Sequence, residues 1–220
     1  MRNFILIGLP ASGKGTQATF IATQYPEIRL LSMGNLLRNE VRNSTELGSL
    51  IQKSMLSGSL INSEHINSLA EQFLAKEQVN MFLYDGYPRT VSQAVFLNDL
   101  LNNKYKSEIT AVFYMNIPSE IVFDRMLGRL NCRDCGAVFN LKSNPPKQDG
   151  LCDVCGSMNL FIRPDDARHI VEKRVAKAQT NNNELLDFYR SSNIKIIDID
   201  ATNDIVHVSA ALKYSINLFH

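Results

Sequence analysis

The chain has no tryptophan and no cysteine outside residues 132–155. Cysteines so confined cannot staple a whole domain with disulfides, although they can build a local metal site. No stretch approaches about 18 continuous apolar residues, the length needed to cross a membrane. The apolar run before Gly8 is only Phe4 to Ile7, far short of a signal-peptide core. Net charge is scarce as well: 23 basic and 22 acidic residues leave +1, too little field to draw the protein to nucleic acid or to an anionic membrane. His65, His169, His207 and His220 show no ligand spacing. There is no internal repeat or low-complexity tract. These absences predict a cytoplasmic protein that binds neither nucleic acid nor membrane, and a monomer is expected.

What is present is an alternation. Short β-rich runs recur at Phe4 to Ile7, Ile28 to Leu31, Met81 to Tyr84, Thr110 to Met115 and Ile194 to Ile199. Between them lie helical patterns at Gly15 to Gln24, Asn35 to Arg42, Leu47 to Leu56, Glu64 to Lys76, Ser92 to Leu101, Ser119 to Gly128, Ala167 to Arg190 and Ile205 to Leu218. This predicts an α/β fold: a five-stranded parallel sheet covered by helices on both faces, which explains why the apolar runs are nearly continuous. Leu101 to Ser107 is polar enough to read as a loop. From Arg129 to Asp165 the helical period disappears and prolines, glycines and all four cysteines interrupt the chain, so this stretch reads as an insertion folded around its own centre.

The first strand runs into Gly8-Leu9-Pro10-Ala11-Ser12-Gly13-Lys14-Gly15-Thr16 and then a helix, the context that gives a G-x-x-x-x-G-K match its meaning. Backbone N–H groups of such a turn wrap a phosphate, the helix contributes its positive end, and Lys14 adds a point charge. The residue after Lys14 is Gly15, so the usual magnesium-holding hydroxyl is displaced to Thr16, which argues against a GTPase-type switch.

Within the insert, Cys132-x₂-Cys135 and Cys152-x₂-Cys155 are separated by sixteen residues, and each pair is followed by a glycine, Gly136 or Gly156. Two such thiolate knuckles predict a closed, tetrahedral, structural Zn²⁺ site. Two disulfides or an iron–sulfur centre are the competing readings.

Gly13-Lys14-Gly15-Thr16-Gln17 together with Asp85-Gly86-Tyr87-Pro88-Arg89 resembles the nucleoside monophosphate kinases, and adenylate kinases of the long-lid, zinc-bearing type most closely. The resemblance covers essentially the whole chain, including Ser32 to Arg38, Gln93, the cysteine-bearing insert with Asn144 to Lys147, and Arg163 to Asp166. It implies a P-loop core over 1–128 and 166–220, with an acceptor-binding region at about 32–72 and a zinc-binding lid over 129–165. The implied reaction is ATP + AMP = 2 ADP with Mg²⁺.

By the same resemblance, ATP would be held by Gly8, Pro10, Ala11, Ser12, Gly13, Lys14, Gly15, Thr16, Arg125 and Arg129. AMP would be held by Met33, Arg38, Ser59, Leu60, Ile61, Gly86, Arg89, Gln93, Arg163 and Arg174, with Gln93 reading the adenine edge. Lys14, Arg89, Arg125, Arg163 and Arg174 would be catalytic, and Asp85 would hold magnesium through water. Arg125 and Arg129 lie four apart on one predicted helix face. Asp165 and Asp166 would support the arginines or cap the following helix. Arginine suits the chemistry, because phosphoryl transfer demands positioning and charge neutralisation more than covalent catalysis.

Departures from the family pattern are Met33 and Asn35, where threonine and aspartate are usual, and Ala11 and Ala201 in place of glycines. They keep a UMP/CMP kinase and a GTP-preferring AMP kinase as alternatives. A zinc-ribbon nucleic-acid binder on an inactive scaffold is the reading from another class, but the insert mixes Arg133, Lys142 and Lys147 with Asp134, Asp149 and Asp153.

Overall fold

A computed structural model describes residues 1–43, 45–57 and 61–219, without the side chains of residues 55–57. In chain order the elements are β1 (Arg2–Gly8), α1 (Lys14–Gln24), β2 (Ile28–Ser32), α2 (Met33–Arg42), α3 (Glu46–Ser57), α4 (Ser63–Lys76), β3 (Met81–Asp85), α5 (Val91–Tyr105), β4 (Ala111–Asn116), α6 (Ser119–Leu127), β5 (Arg129–Cys132), β6 (Val138–Asn140), β7 (Leu160–Phe161), a 3₁₀ turn (Pro164–Asp166), α7 (Arg168–Ser191), β8 (Lys195–Asp200) and α8 (Ile205–Asn217).

Five strands form a parallel sheet in the order β2-β3-β1-β4-β8. Alternate residues of each strand feed opposite faces. Phe4, Leu6, Leu83 and Phe113 join Ala18, Ile21, Val208 and Leu212 on one side, while Ile5, Ile7, Tyr84 and Val112 join Leu74, Leu97, Leu185 and Tyr189 on the other. Burial on both faces is the physical reason the strands read as unbroken apolar runs. With β1 central, its carboxyl end opens onto the crevice where ligands of open α/β sheets bind. Among the described residues no helix is long and apolar enough to cross a membrane.

Two expectations need correcting. The stretch read as a loop after Leu101 continues as helix α5 to Tyr105. Its polar residues occupy the outer face, where Lys104 pairs with Glu71 at 3.0 Å, while Leu101 and Tyr105 pack inward. The helix stops where Lys106 takes a left-handed conformation, φ 49°. Arg125 and Arg129 do not share a helix face, because α6 ends at Leu127 with Gly128 as its cap and Arg129 opens β5. Gly128 lies against the Asn140 side chain, where a Cβ would stand 3.1 Å from Nδ2.

The insert is a small antiparallel sheet, β6-β5-β7. Its buried cluster is Cys132, Phe139 and Cys152, with Leu130, Ala137 and Leu160 packed against it.

Candidate active site and metal centre

The glycine-rich loop leaves β1 at Gly8, whose backbone lies close to β4 and to Ser12; a Cβ there would stand 2.8 Å from the Met115 carbonyl oxygen. Gly13 precedes α1 with φ 95°, a conformation glycine adopts freely. Ala11 takes φ 56°, so the alanine that replaces a family glycine sits in the left-handed region and carries a steric cost there. Lys14 folds back across the loop, its Nζ donating to the carbonyls of Gly8 at 2.8 Å and Leu9 at 2.6 Å and to Ser12 Oγ at 3.2 Å. Burial brings its ammonium down to about 8 against the upward pull of Asp85. A charge so desolvated and held only by neutral oxygens is primed to exchange them for an anion.

Asp85 ends β3 next to β2, and Ser32 Oγ donates to its Oδ2 at 3.2 Å. A Cβ on Gly15 would stand 3.4 Å from that oxygen. The loop and Asp85 therefore face each other directly, with no hydroxyl of residue 15 between them. Thr16 is half-buried in the first turn of α1.

Beside the loop the structure gathers Arg38, Arg89, Arg129, Arg163 and Arg174 within mutual electrostatic reach of Lys14, Asp85, Asp165 and Asp166. Arg129 makes a two-pronged pair with buried Asp166, with Nε donating to Oδ2 at 2.8 Å and Nη2 to Oδ1. Arg174 Nη1 donates to the Asp165 carboxylate and carbonyl, each at 2.7 Å, and to Asp166 Oδ1 at 3.2 Å. The acidic pair therefore does not cap the next helix; α7 begins after Ala167 without a side-chain cap. Its carboxylates are committed to two arginines instead. Arg163 is brought down to about 9 by burial, with Arg129 and Arg38 adding, and its Nε is buried without a hydrogen-bond partner. Burial likewise lowers Arg38 and Arg89. Six cations against three carboxylates leave a local surplus of positive charge, although the whole chain carries only +1.

Arg125 stands apart from this group. Its Nη1 donates to the carbonyl of Ala201 at 3.0 Å, and burial alone lowers it.

On the acceptor side, Arg38 lies over Gly34 and donates to Asn35 Oδ1. Arg89 Nε donates to the Gly86 carbonyl at 3.0 Å. Gly86 itself has φ 71°. Met33 is 1% exposed and belongs to the cluster of Leu31, Leu37, Ile51 and Tyr84. Gln93 is buried, its Oε1 accepting from Arg89 N at 2.8 Å and its Nε2 donating to Ser63 Oγ at 3.3 Å. Ile61 is half-buried against the same cluster, whereas Ser59 and Leu60 lie outside the described residues. Ser32, Ser63 and Thr90 organise this side although none was read as a site residue from the sequence. A lone serine or threonine at the end of an element carries no pattern until its partner, Asp85 or Gln93, is placed beside it.

The four cysteine Sγ atoms lie within 4.8 Å of one another. Cys132 and Cys155 are 3.6 Å apart and Cys135 and Cys152 3.5 Å, too far for disulfides. Those separations approach the roughly 3.8 Å edge of a tetrahedron with metal–sulfur bonds of about 2.3 Å. Despite its burial, hydrogen bonds from the N–H groups of Cys135 and Asp134 and from neighbouring Sγ atoms draw the Cys132 thiol down, whereas burial pushes the Cys135 thiol up, so the four do not ionise alike without a metal. The donor set fits a metal that prefers four thiolates.

The adenylate kinase family model matches residues 6–194. The chain is 38% identical to an adenylate kinase of Listeria monocytogenes over 93% of its own length and 94% of the relative's. It is 38% identical to an adenylate kinase of Archaeoglobus fulgidus over 92% of each chain, and 37% identical to one of Caldicellulosiruptor bescii over 88% of this chain and 89% of that one. A family match across the strand–loop–helix, the cation cluster and the cysteine insert makes this chain a member of the adenylate kinase family of phosphotransferases.

Proposed function

We propose that the protein transfers the γ-phosphoryl group of ATP to AMP, reversibly, giving two ADP, with Mg²⁺. The observation that carries this reading is the cation surplus around Lys14, which suits a chain of phosphates and little else. An AMP phosphate oxygen attacks the γ-phosphorus as the bond to the ADP leaving oxygen breaks. The nucleophile is already anionic, so no general base is needed.

The loop from Gly8 through Pro10, Ala11, Ser12, Gly13, Gly15 and Thr16 would cradle the donor phosphates with its N–H groups and the positive end of α1. Lys14 would exchange its carbonyl partners for phosphate oxygens. Arg38 and Arg89 would hold the acceptor phosphate, while Arg129, Arg163 and Arg174 neutralise charge spreading over the transferred group. The unpartnered Nε of Arg163 is a donor with no assigned use in the protein alone. Arg125, tied to Ala201 O, would flank the donor nucleotide. Met33, Ile61, Gly86 and Gln93 would line the acceptor pocket, together with Ser59 and Leu60. Asp85, which faces the loop, would hold Mg²⁺ through water, and the ion would supply charge neutralisation for the donor phosphates.

Residues 1–128 and 166–220 would act as the core, with 32–72 closing on the acceptor and 129–165 closing as a lid. Closure excludes water and suppresses hydrolysis of ATP, a mechanism of which adenylate kinases are themselves a familiar instance. The four thiolates would hold zinc, which gives the insert rigidity and takes no part in transfer. The test is ADP formation from ATP and AMP. Magnesium-dependent ADP production supports the reading, and none at all would refute it.

The alternative of a pyrimidine acceptor rests on Met33, which offers no hydroxyl, and on the Gln93 carboxamide, both ends of which are engaged within the protein.

A further inference from the structure

Arg42 lies in the last turn of α2, outside the cation cluster around Lys14. Its Nη2 donates to the backbone carbonyl of Arg133 at 2.6 Å, across 91 residues of sequence. That carbonyl belongs to the first cysteine knuckle, between Cys132 and Cys135, so one charge-assisted bond joins the acceptor-side helix to the insert.

Both ends of the bond are well anchored. On the insert, Arg133 N donates to Asn159 O at 2.9 Å and Gly136 N to Cys132 O at 3.1 Å. The Arg133 guanidinium sits 4.1 Å over the Phe161 ring. Asp134 accepts from Ser157 Oγ, and from Asn159 Nδ2 at 3.0 Å, which ties the first knuckle to the second. On α2, Arg42 follows Arg38 by four residues, so the two project from one helix face. Whatever fixes Arg42 against the insert also fixes the helical turn that presents Arg38 to the acceptor phosphate.

We propose that Arg42 is a positioning residue for phosphoryl transfer: its bond to the Arg133 carbonyl holds α2, and with it Arg38, against the insert in the closed arrangement. The proposal rests on the adenylate kinase reading above. A bond made only when the insert approaches α2 stabilises the closed arrangement relative to an open one and leaves the folding of either part unchanged. Losing it should weaken both nucleotides, since both are held under the same closure, and should not slow the chemical step. Faster opening can even raise turnover when product release limits it.

The test compares the wild type with Arg42→Ala and Arg42→Lys in the full, metal-loaded chain. The readouts are KM for ATP and for AMP, kcat, melting temperature, and amide exchange across residues 129–163 without nucleotide. For Arg42→Ala the expected result is a rise of about three- to tenfold in both KM values. It comes with kcat unchanged or higher, an unchanged melting temperature, and faster exchange around Arg133 to Gly136. Arg42→Lys, which keeps a charged donor, should restore part of the effect. Both KM values within about twofold of wild type, or a kcat loss of about tenfold at unchanged KM, would overturn the proposal. The second pattern would mark Arg42 as a direct phosphate contact. If the wild type makes no ADP from ATP and AMP, it is the functional reading that fails. The exchange comparison then decides alone, with faster exchange in Arg42→Ala supporting the bond and unchanged exchange overturning it.

Discussion

The core and the insert are held by different chemistry. Each face of the core sheet is buried under helices, with Phe4, Phe82, Phe113, Tyr84 and Tyr189 among its fully enclosed side chains. In the insert, the buried cluster consists of Phe139 and two of the four cysteines. So few apolar groups cannot offset the entropy of ordering a segment of this length, and small units below about 40 residues usually need a metal or disulfides. The core therefore owes its geometry to burial, whereas the insert has four cysteines that could hold a metal ion in place of a core. The arginine pairs with Asp165 and Asp166 sit at the join. Under the proposed lid closure, this division would let the moving part stay rigid without being fused to the core.

The largest effect is expected from chemistry that touches only the core. Lys14→Met should lower turnover by about 10²–10³-fold while the melting temperature stays within about 3 °C of wild type. Steady-state kinetics and calorimetry check this, and near-normal turnover would remove the loop from the mechanism. Metal removal sharpens the other side. With a strong chelator, amides of residues 129–163 should exchange at least about 100-fold faster, whereas those of β1, β3 and β4 change by less than about threefold. Uniform loss of protection would mean the insert and core share one stability.

A pH titration gives a smaller effect confined to the core. The Lys14 ammonium, lowered by burial to about 8, loses its proton as pH rises through that value, so affinity for ATP should fall above it. The loss is up to about tenfold between pH 7 and pH 9, measurable by calorimetric titration. Affinity flat across that range would show the lysine still charged at pH 9. The smallest effect is expected from Ala11→Gly, which relieves φ 56° at the cost of a freer unfolded chain. A gain of about 0.5 kcal/mol, or roughly 1–2 °C, is predicted by calorimetry.

Much of this division is legible in the sequence because it rests on local pattern. Strands buried on both faces show as continuous apolar runs, the loop from Gly8 to Thr16 shows as a motif between strand and helix, and the cysteine pairs show as spacing. What depends on tertiary partners is not legible. The stop at Gly128 is legible as the end of a helical pattern, but nothing local reveals that Arg125 then turns toward Ala201 while Arg129 reaches Asp166. Nor does it reveal that Asn102 to Lys104 ride on a helix held down by Leu101 and Tyr105. Gln93 reads as a free amide until Arg89 N and Ser63 are seen to occupy it, and Arg42 reads as a surface charge until Arg133 arrives from across the chain.

The reaction itself is tested most directly by an acceptor panel: ATP and magnesium with AMP, UMP or CMP in turn, following ADP formation by a coupled assay. AMP should be the preferred acceptor by kcat/KM, with turnover abolished in Arg89→Ala. Preference for UMP or CMP, or ADP formation indifferent to Arg89, would contradict this reading.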